Sequence, residues 1–248
     1  MKSRHFHKFL IALLIGGYMM AIVPWISALD SMTNEDKGER FVRMLASGSY
    51  ASAWEDFDST TKAAMPPHQI ELIPRIGMLD HEIAGFVVMA GPSRPSEDAI
   101  LEQMAYIYSL DGLVSDSEME QLEKIKQQVA MVKDPWLSAE IPSKELPLGL
   151  PAEYWLDLHD YNPLETARHL NCDVLILQAG RDYQVTMEDF WGWKRALNDR
   201  QNVVFESYPK LNHLFMEGDG KSSPEEYQVA GHVAEVVIED IANWIKSQ

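Results

Sequence analysis

The sequence places an acid, Asp182, and an imidazole, His213, each just past the end of a predicted strand. A carboxylate that reaches a histidine ring fixes its orientation and supports it as a general base. Such a pair serves a nucleophile, yet no Gly-x-Ser-x-Gly turn occurs anywhere in the 248 residues. Three serines are candidates for the part. Ser93 follows a strand but comes directly after Pro92, and Ser222 and Ser223 sit in a Gly-rich, charged loop where solvated surface is expected. His68, after Pro66-Pro67, is expected in an exposed loop. Asp182 on its own has a plainer reading, as a loop carboxylate that caps a turn or pairs with Arg181.

The elements that must position the pair follow from periodicity. Ile83 to Ala90 is a continuous apolar run, as in a strand covered on both faces, and it ends in the rigid loop Gly91-Pro92-Ser93-Arg94-Pro95. A helix follows, with Ile100, Leu101, Met104 and Ile107 on one face. A second starts at Ser115-Asp116-Ser117-Glu118, a capping-box spacing, and carries Met119, Leu122, Ile125, Val129 and Val132 inward. Residues 134–163 hold five prolines among Trp136, Tyr154 and Trp155 and read as an ordered cap or crossover. Val174 to Gln178 and Val203 to Tyr208 are the second and third strands. Between them lies a helix that Thr186 and Asp189 can cap, its inner face Phe190, Trp193 and Leu197. A last helix is expected from about Pro224 to Ile245, burying Val233, Val236, Val237, Ile241, Trp244 and Ile245. Strands alternating with helices predict an α/β fold with a parallel sheet, and ligands of such sheets gather at the carboxyl ends of strands. Asp182 and His213 are both at that end.

Upstream, residues 33–65 read as a small helical module with Phe41, Val42, Leu45, Trp54 and Phe57 as apolar anchors, closed by Pro66-Pro67. Lys2, Arg4 and Lys8 precede an uncharged apolar run from Phe9 to Ile26. A basic start, an apolar middle and the small residues Ser27 and Ala28 describe a signal peptide over 1–28. As a helix the run would reach roughly 27 Å, so an uncleaved membrane anchor is the alternative and a buried soluble helix a third reading. On either of the first two the body of the chain is exported.

The net charge of −17 repels phosphate backbones and anionic headgroups, which argues against nucleic-acid binding and limits membrane contact to the N-terminal segment. Cys172, the single cysteine, opens an apolar strand and is expected in the core. No zinc-type Cys/His spacing is present, so no metal or other cofactor is expected.

Gly180-Arg-Asp-Tyr-Gln-Val-Thr186 and Tyr208-Pro-Lys-Leu-Asn-His-Leu-Phe215 resemble the acid and histidine loops of the α/β-hydrolase superfamily, in particular its exported bacterial esterase-like serine hydrolases. The resemblance runs from 70 to 248, through Ala90–Pro95, Asp160–Pro163 and Gly231–Ala234, and gives 96–163 as a cap or lid. Residues 39–65 separately resemble a small helical module that often precedes the hydrolase domain. The resemblance implies a serine hydrolase of esters or small acyl substrates, with Asp182 and His213 as acid and base. It also sets the nucleophile elbow on Met65–Gln69, with Pro67 where the serine belongs. The implied fold is therefore an incomplete α/β hydrolase, its central strands missing, and its inactivity is an expectation. A three-stranded sheet with open edges would invite an oligomer or a partner segment to cover it.

Overall fold

The computed structural model describes residues 8–15 and 18–22 by their backbone, and residues 83–248 apart from Asp160. The expected helical module over 33–65, Pro67 and His68 lie outside the described residues.

The sheet has five strands: β1 (Lys8–Ile15), β2 (Tyr18–Ile22), β3 (Ile83–Met89), β4 (Asp173–Ala179) and β5 (Val203–Tyr208), in the order β2-β1-β3-β4-β5. β1, β3, β4 and β5 run parallel, and β2 folds back antiparallel on β1. The three parallel strands expected from sequence are present, side by side as β3, β4 and β5. The difference lies at the N-terminus, where the described residues of the apolar run, up to Ile15 and Tyr18–Ile22, are extended rather than helical. Gly16-Gly17 divides the run into lengths that suit strands, and a short apolar run does not declare its own period. β1 thereby covers the edge of β3 that the sequence left open. Among the described residues no helix is long and apolar enough to cross a membrane.

The core grows from the middle of the sheet. In β3, adjacent Phe86 and Val87 are both fully buried, as a strand covered on both faces requires. Val174 through Ala179 are buried without a break, and β4 sits between β3 and β5, with Phe86 opposite Val174 and Val174 opposite Val203. At the other end of the sheet β5 buries less and leaves Val204 exposed. Helix α5 (Met187–Leu197) lays Phe190, Trp193 and Leu197 into the core at helical spacing, as predicted. Helix α6 (Glu235–Ser247) contributes Val237, Ile238, Ile241 and Trp244.

Two details of that last helix depart from the sequence reading. It begins at Glu235, with only a short 3₁₀ turn at Pro224–Gln228 before it. The intervening chain is held away from helical geometry, because Ala234 donates its N–H to the Phe215 carbonyl at 2.9 Å and Met216 fills the space beside Gly231. Val236 is consequently exposed, and Ile238 takes the buried place assigned to it.

Between β3 and β4 the chain forms α1 (Ser96–Tyr108), α2 (Asp116–Val132), α3 (Ala152–Leu158) and α4 (Pro163–Arg168). The α2 capping box is complete: Ser115 accepts from the Glu118 N–H, and Glu118 accepts from the Ser115 N–H at 2.8 Å. Val132, Leu137, Leu146, Ala152 and Trp155 make a second, smaller core within this insertion, which is what the prolines and tryptophans of 134–163 serve. Met119, expected on the inner face of α2, is instead exposed near the helix start. Cys172 is half-buried against the main core, and burial pushes its thiol up to about 11, which keeps it protonated and unreactive near neutral pH.

Candidate acid–base site

β4 and β5 end side by side, and their exits are knitted together. The Gly180 N–H donates to the Tyr208 carbonyl at 2.8 Å, and the Arg181 N–H to the Leu211 carbonyl at 2.9 Å. Glycine is needed at 180, since a Cβ there would lie 2.7 Å from the Pro209 Cα, a backbone atom that cannot yield. That close approach brings the two loops within side-chain reach.

Asp182 is held from both of its oxygens. Its Oδ1 accepts the backbone N–H groups of Gln184 at 2.8 Å and Val185 at 3.0 Å, so the carboxylate folds back over its own turn. Its Oδ2 lies 2.7 Å from the Nδ1 of His213, 31 residues further on. Gln178, buried one residue before the end of β4, donates to the Val185 carbonyl at 2.8 Å and reaches the same Oδ2 at 3.4 Å. Both members of the pair are buried, His213 to 1% exposure and Asp182 to 6%.

His213 owes its position to Asn212. The Asn212 Oδ1 accepts from the N–H of Leu214 at 3.0 Å and of Met216 at 3.2 Å, closing a tight loop. Within it Phe215 takes a left-handed conformation, φ 56°, and is fully buried. A β-bridge between Leu211 and Glu217 seals the loop's neck. A non-glycine residue at positive φ costs about 1–3 kcal/mol and persists where its surroundings over-determine it. Here a buried ring and the Ala234 hydrogen bond do so.

Of the two plainer roles read for Asp182, it does cap its own turn, but Arg181 does not bond it. The Arg181 guanidinium is buried beneath the 218–226 loop, donating to the Gly220 carbonyl at 2.9 Å and pairing with Glu226. Ser222, expected as solvated surface, is 1% exposed and donates to Glu226 at 3.2 Å. Ser93 is also buried, its N–H 2.8 Å from the Asp189 carboxylate and its side chain against Gly192. Asp189 does not cap α5, as the sequence suggested; it is fully buried and pairs with Arg94 at 2.7 Å. The α1 helix leans on the acid loop: Tyr106 stacks on Tyr183 at 4.9 Å, its hydroxyl donates to the Ser222 carbonyl at 2.8 Å, and Gln103 donates to the Gln184 carbonyl at 2.9 Å. Burial pushes the Tyr183 phenol far up, so it stays neutral. Among the described residues, no three His, Cys, Asp or Glu side chains gather as a metal ion would need.

Sequence reasoning missed Gln178, Asn212 and Glu226. A signal for Asn212 was available, because an Asn directly before a loop histidine can build the turn that aims it. Gln178 and Glu226 act across folds of the chain that no local pattern encodes.

Chemically, a carboxylate acceptor at Nδ1 places the ring proton there and leaves Nε2 with its lone pair. That tautomer is the one a general base needs.

No protein-family model matches the chain. Over 176 residues it is 40% identical to Esterase EstD of Thermotoga maritima, an alignment that covers 68% of this chain and 40% of that protein. The chain thus spans two fifths of the length of that curated relative. Among solved structures, an esterase of Pyrococcus furiosus aligns with 71% of this chain and 48% of its own, at 12% identity and a TM-score of 0.39. A monoacylglycerol lipase of Paleococcus ferrophilus aligns with 70% of this chain and 65% of its own, at 16% identity and a TM-score of 0.32.

Proposed function

We propose that this chain, which belongs to the α/β-hydrolase superfamily, carries the acid and base of an ester-hydrolysing site but no serine of its own. The reaction class is hydrolysis of carboxylic esters or small acyl compounds. His213 would draw the proton from an attacking hydroxyl and return it to the leaving alkoxide, while Asp182 holds the ring and balances its charge. The observation that carries this reading is the buried 2.7 Å contact between Asp182 Oδ2 and His213 Nδ1. Its second half is supported by the absence of Gly-x-Ser-x-Gly from the sequence and by the resemblance that sets Pro67 where the family has its serine. Losing the nucleophile from such a unit removes nearly all catalysis beyond binding. The protein as it stands is therefore read as inactive, or nearly so.

The test pairs a serine-reactive fluorophosphonate with turnover of a short-chain nitrophenyl ester. Neither labelling nor turnover above the buffer rate is expected. Labelling that vanishes on Ser93→Ala, Ser222→Ala or Ser223→Ala would overturn the inactive reading. A second reading, a non-catalytic binding protein or a fragment that works with a partner segment, is favoured by the two-fifths coverage of the esterase. Cooperative unfolding of a soluble monomer would count against the fragment.

Export is part of the same proposal, supported by Lys2, Arg4 and Lys8 ahead of the apolar run. Cleavage near Ala28 would take β1 and β2 with it and bare the β3 edge to a partner or a second copy. Protein recovered from the cell envelope or medium is expected to begin near Leu29, or at Met1 while remaining membrane-bound. A soluble cytoplasmic form starting at Met1 refutes export.

A further inference from the structure

Resting on the acid–base reading above, we propose that Glu226 is a positioning residue that sets the geometry of the pair, one carboxylate holding the immediate neighbours of both Asp182 and His213. One oxygen, Oε1, pairs with the Arg181 guanidinium, on the residue before Asp182. The other, Oε2, accepts from Asn212 Nδ2 at 2.9 Å, on the residue before His213, and from Ser222 Oγ at 3.2 Å. Hydrogen bonds and peptide bonds thus close a ring through Asp182, His213, Asn212, Glu226 and Arg181.

Each link in the ring has little freedom. Arg181 is further fixed by the carbonyls of Gly220 at 2.9 Å and Asp219 at 3.2 Å, and its guanidinium occupies the space a side chain at Gly218 would need. Asn212 spends its Oδ1 on two backbone N–H groups, so only its amide nitrogen is free for Glu226. Burial opposes the Glu226 charge, but the hydrogen bonds from Arg181, Asn212 and Ser222 outweigh it and hold the carboxyl below the usual carboxylate range. It therefore remains an acceptor for both neighbours at neutral pH. An ion pair whose only task was to fasten the 218–228 loop would have no reason to bind the residue next to each member of the pair. Release of either contact would free one loop to shift, and general-base geometry tolerates little displacement.

The readout is the far-downfield NMR resonance of the His213 Nδ1 proton, seen in ¹⁵N-labelled full-length protein, which reports the Asp182 hydrogen bond whether or not the protein turns over substrate. Glu226→Gln places an amide donor against either Arg181 or Asn212, both donors, and is expected to abolish the resonance through solvent exchange. Asn212→Asp keeps the acceptor for Leu214 and Met216 but sets a carboxylate against Glu226, with the same expected loss. Combining the two restores a donor on 226 facing an acceptor on 212, and the resonance is expected to return. Ser222→Ala, which touches only the loop's own contact, should leave it in place. An unchanged resonance in folded Glu226→Gln and Asn212→Asp overturns the proposal, as does a folded double variant that still lacks it. If Glu226→Gln fails to fold, the double variant alone decides, by the same criterion. Absence of the resonance from the wild-type protein would refute the acid–base pair itself, and the proposal with it.

Discussion

Asp189→Ala is expected to lower the stability of the folded chain by about 3–5 kcal/mol, the range for removing one partner of a buried ion pair. The carboxylate is completely buried and is surrounded by donors. It accepts from the N–H of Ser93 at 2.8 Å and of Arg94 at 3.2 Å, and from the Arg94 side chain through Nε at 3.2 Å and Nη2 at 2.7 Å. Alanine would strand all of these. Arg94 keeps Glu102, at 2.6 Å, and the Thr186 hydroxyl, and is itself 27% exposed, which places the loss toward the lower end of the range. Asp189→Asn preserves one oxygen for the two backbone donors and should lose about 1.5–3 kcal/mol, the worth of hydrogen bonds to a charged group. Denaturant midpoints with an unchanged slope would measure both. An alanine variant within 1 kcal/mol of the parent would mean that water replaces the carboxylate and that the loop after β3 is not pinned to α5 as described.

Asp182→Asn is expected to fold, and to invert the tautomer of His213. Oδ1 of the new amide must still receive the Gln184 and Val185 N–H groups, so its NH₂ faces His213 Nδ1. Two donors cannot meet there, and the ring answers by presenting a lone pair at Nδ1 and carrying its proton on Nε2. In enzymes that use this pair as a general base, the inverted tautomer costs about four orders of magnitude in rate. The ¹⁵N shifts of the two ring nitrogens, which distinguish the tautomers, should exchange between parent and variant. Unchanged shifts would show that Asp182 does not dictate the proton's position. Asp182→Ala differs in kind: it strands three buried donors and is expected to cost about 3 kcal/mol of stability.

The two variants probe parts of the molecule that were unequally legible in the sequence. Asp182 and His213 could be placed because each follows an apolar run whose length and composition announce a strand, and the strand ends dictate where they emerge. Asp189 was visible only as a helix cap. Its partner, Arg94, is 95 residues away, and a contact of that span leaves no mark on local periodicity. The same limit explains Glu226 and Ser222, whose surroundings look solvated until the loop folds over Arg181. Periodicity extends the final helix too far because Val229 to Ala234 has no proline to break it; the break comes from Phe215 and Met216, which tie that stretch to the histidine loop. At the N-terminus the apolar run satisfied a leader's pattern and two strands equally well. Neither composition nor length could choose between a bilayer and a sheet as its environment.

The separation of 31 residues between Asp182 and His213, set beside the 96 between Ser93 and Asp189, has a meaning for how the chain reaches this structure. The entropy lost on joining two points of a flexible chain grows with the logarithm of the intervening length, so the longer loop costs roughly 1 kcal/mol more to close. The shorter one starts just past β4 and contains α5 and β5, so it lies within a strand–helix–strand unit that can collapse on its own contacts. Topologically, then, the acid and base belong to the most local unit of the sheet, and the clamp that ties β3 to it is the more distant closure.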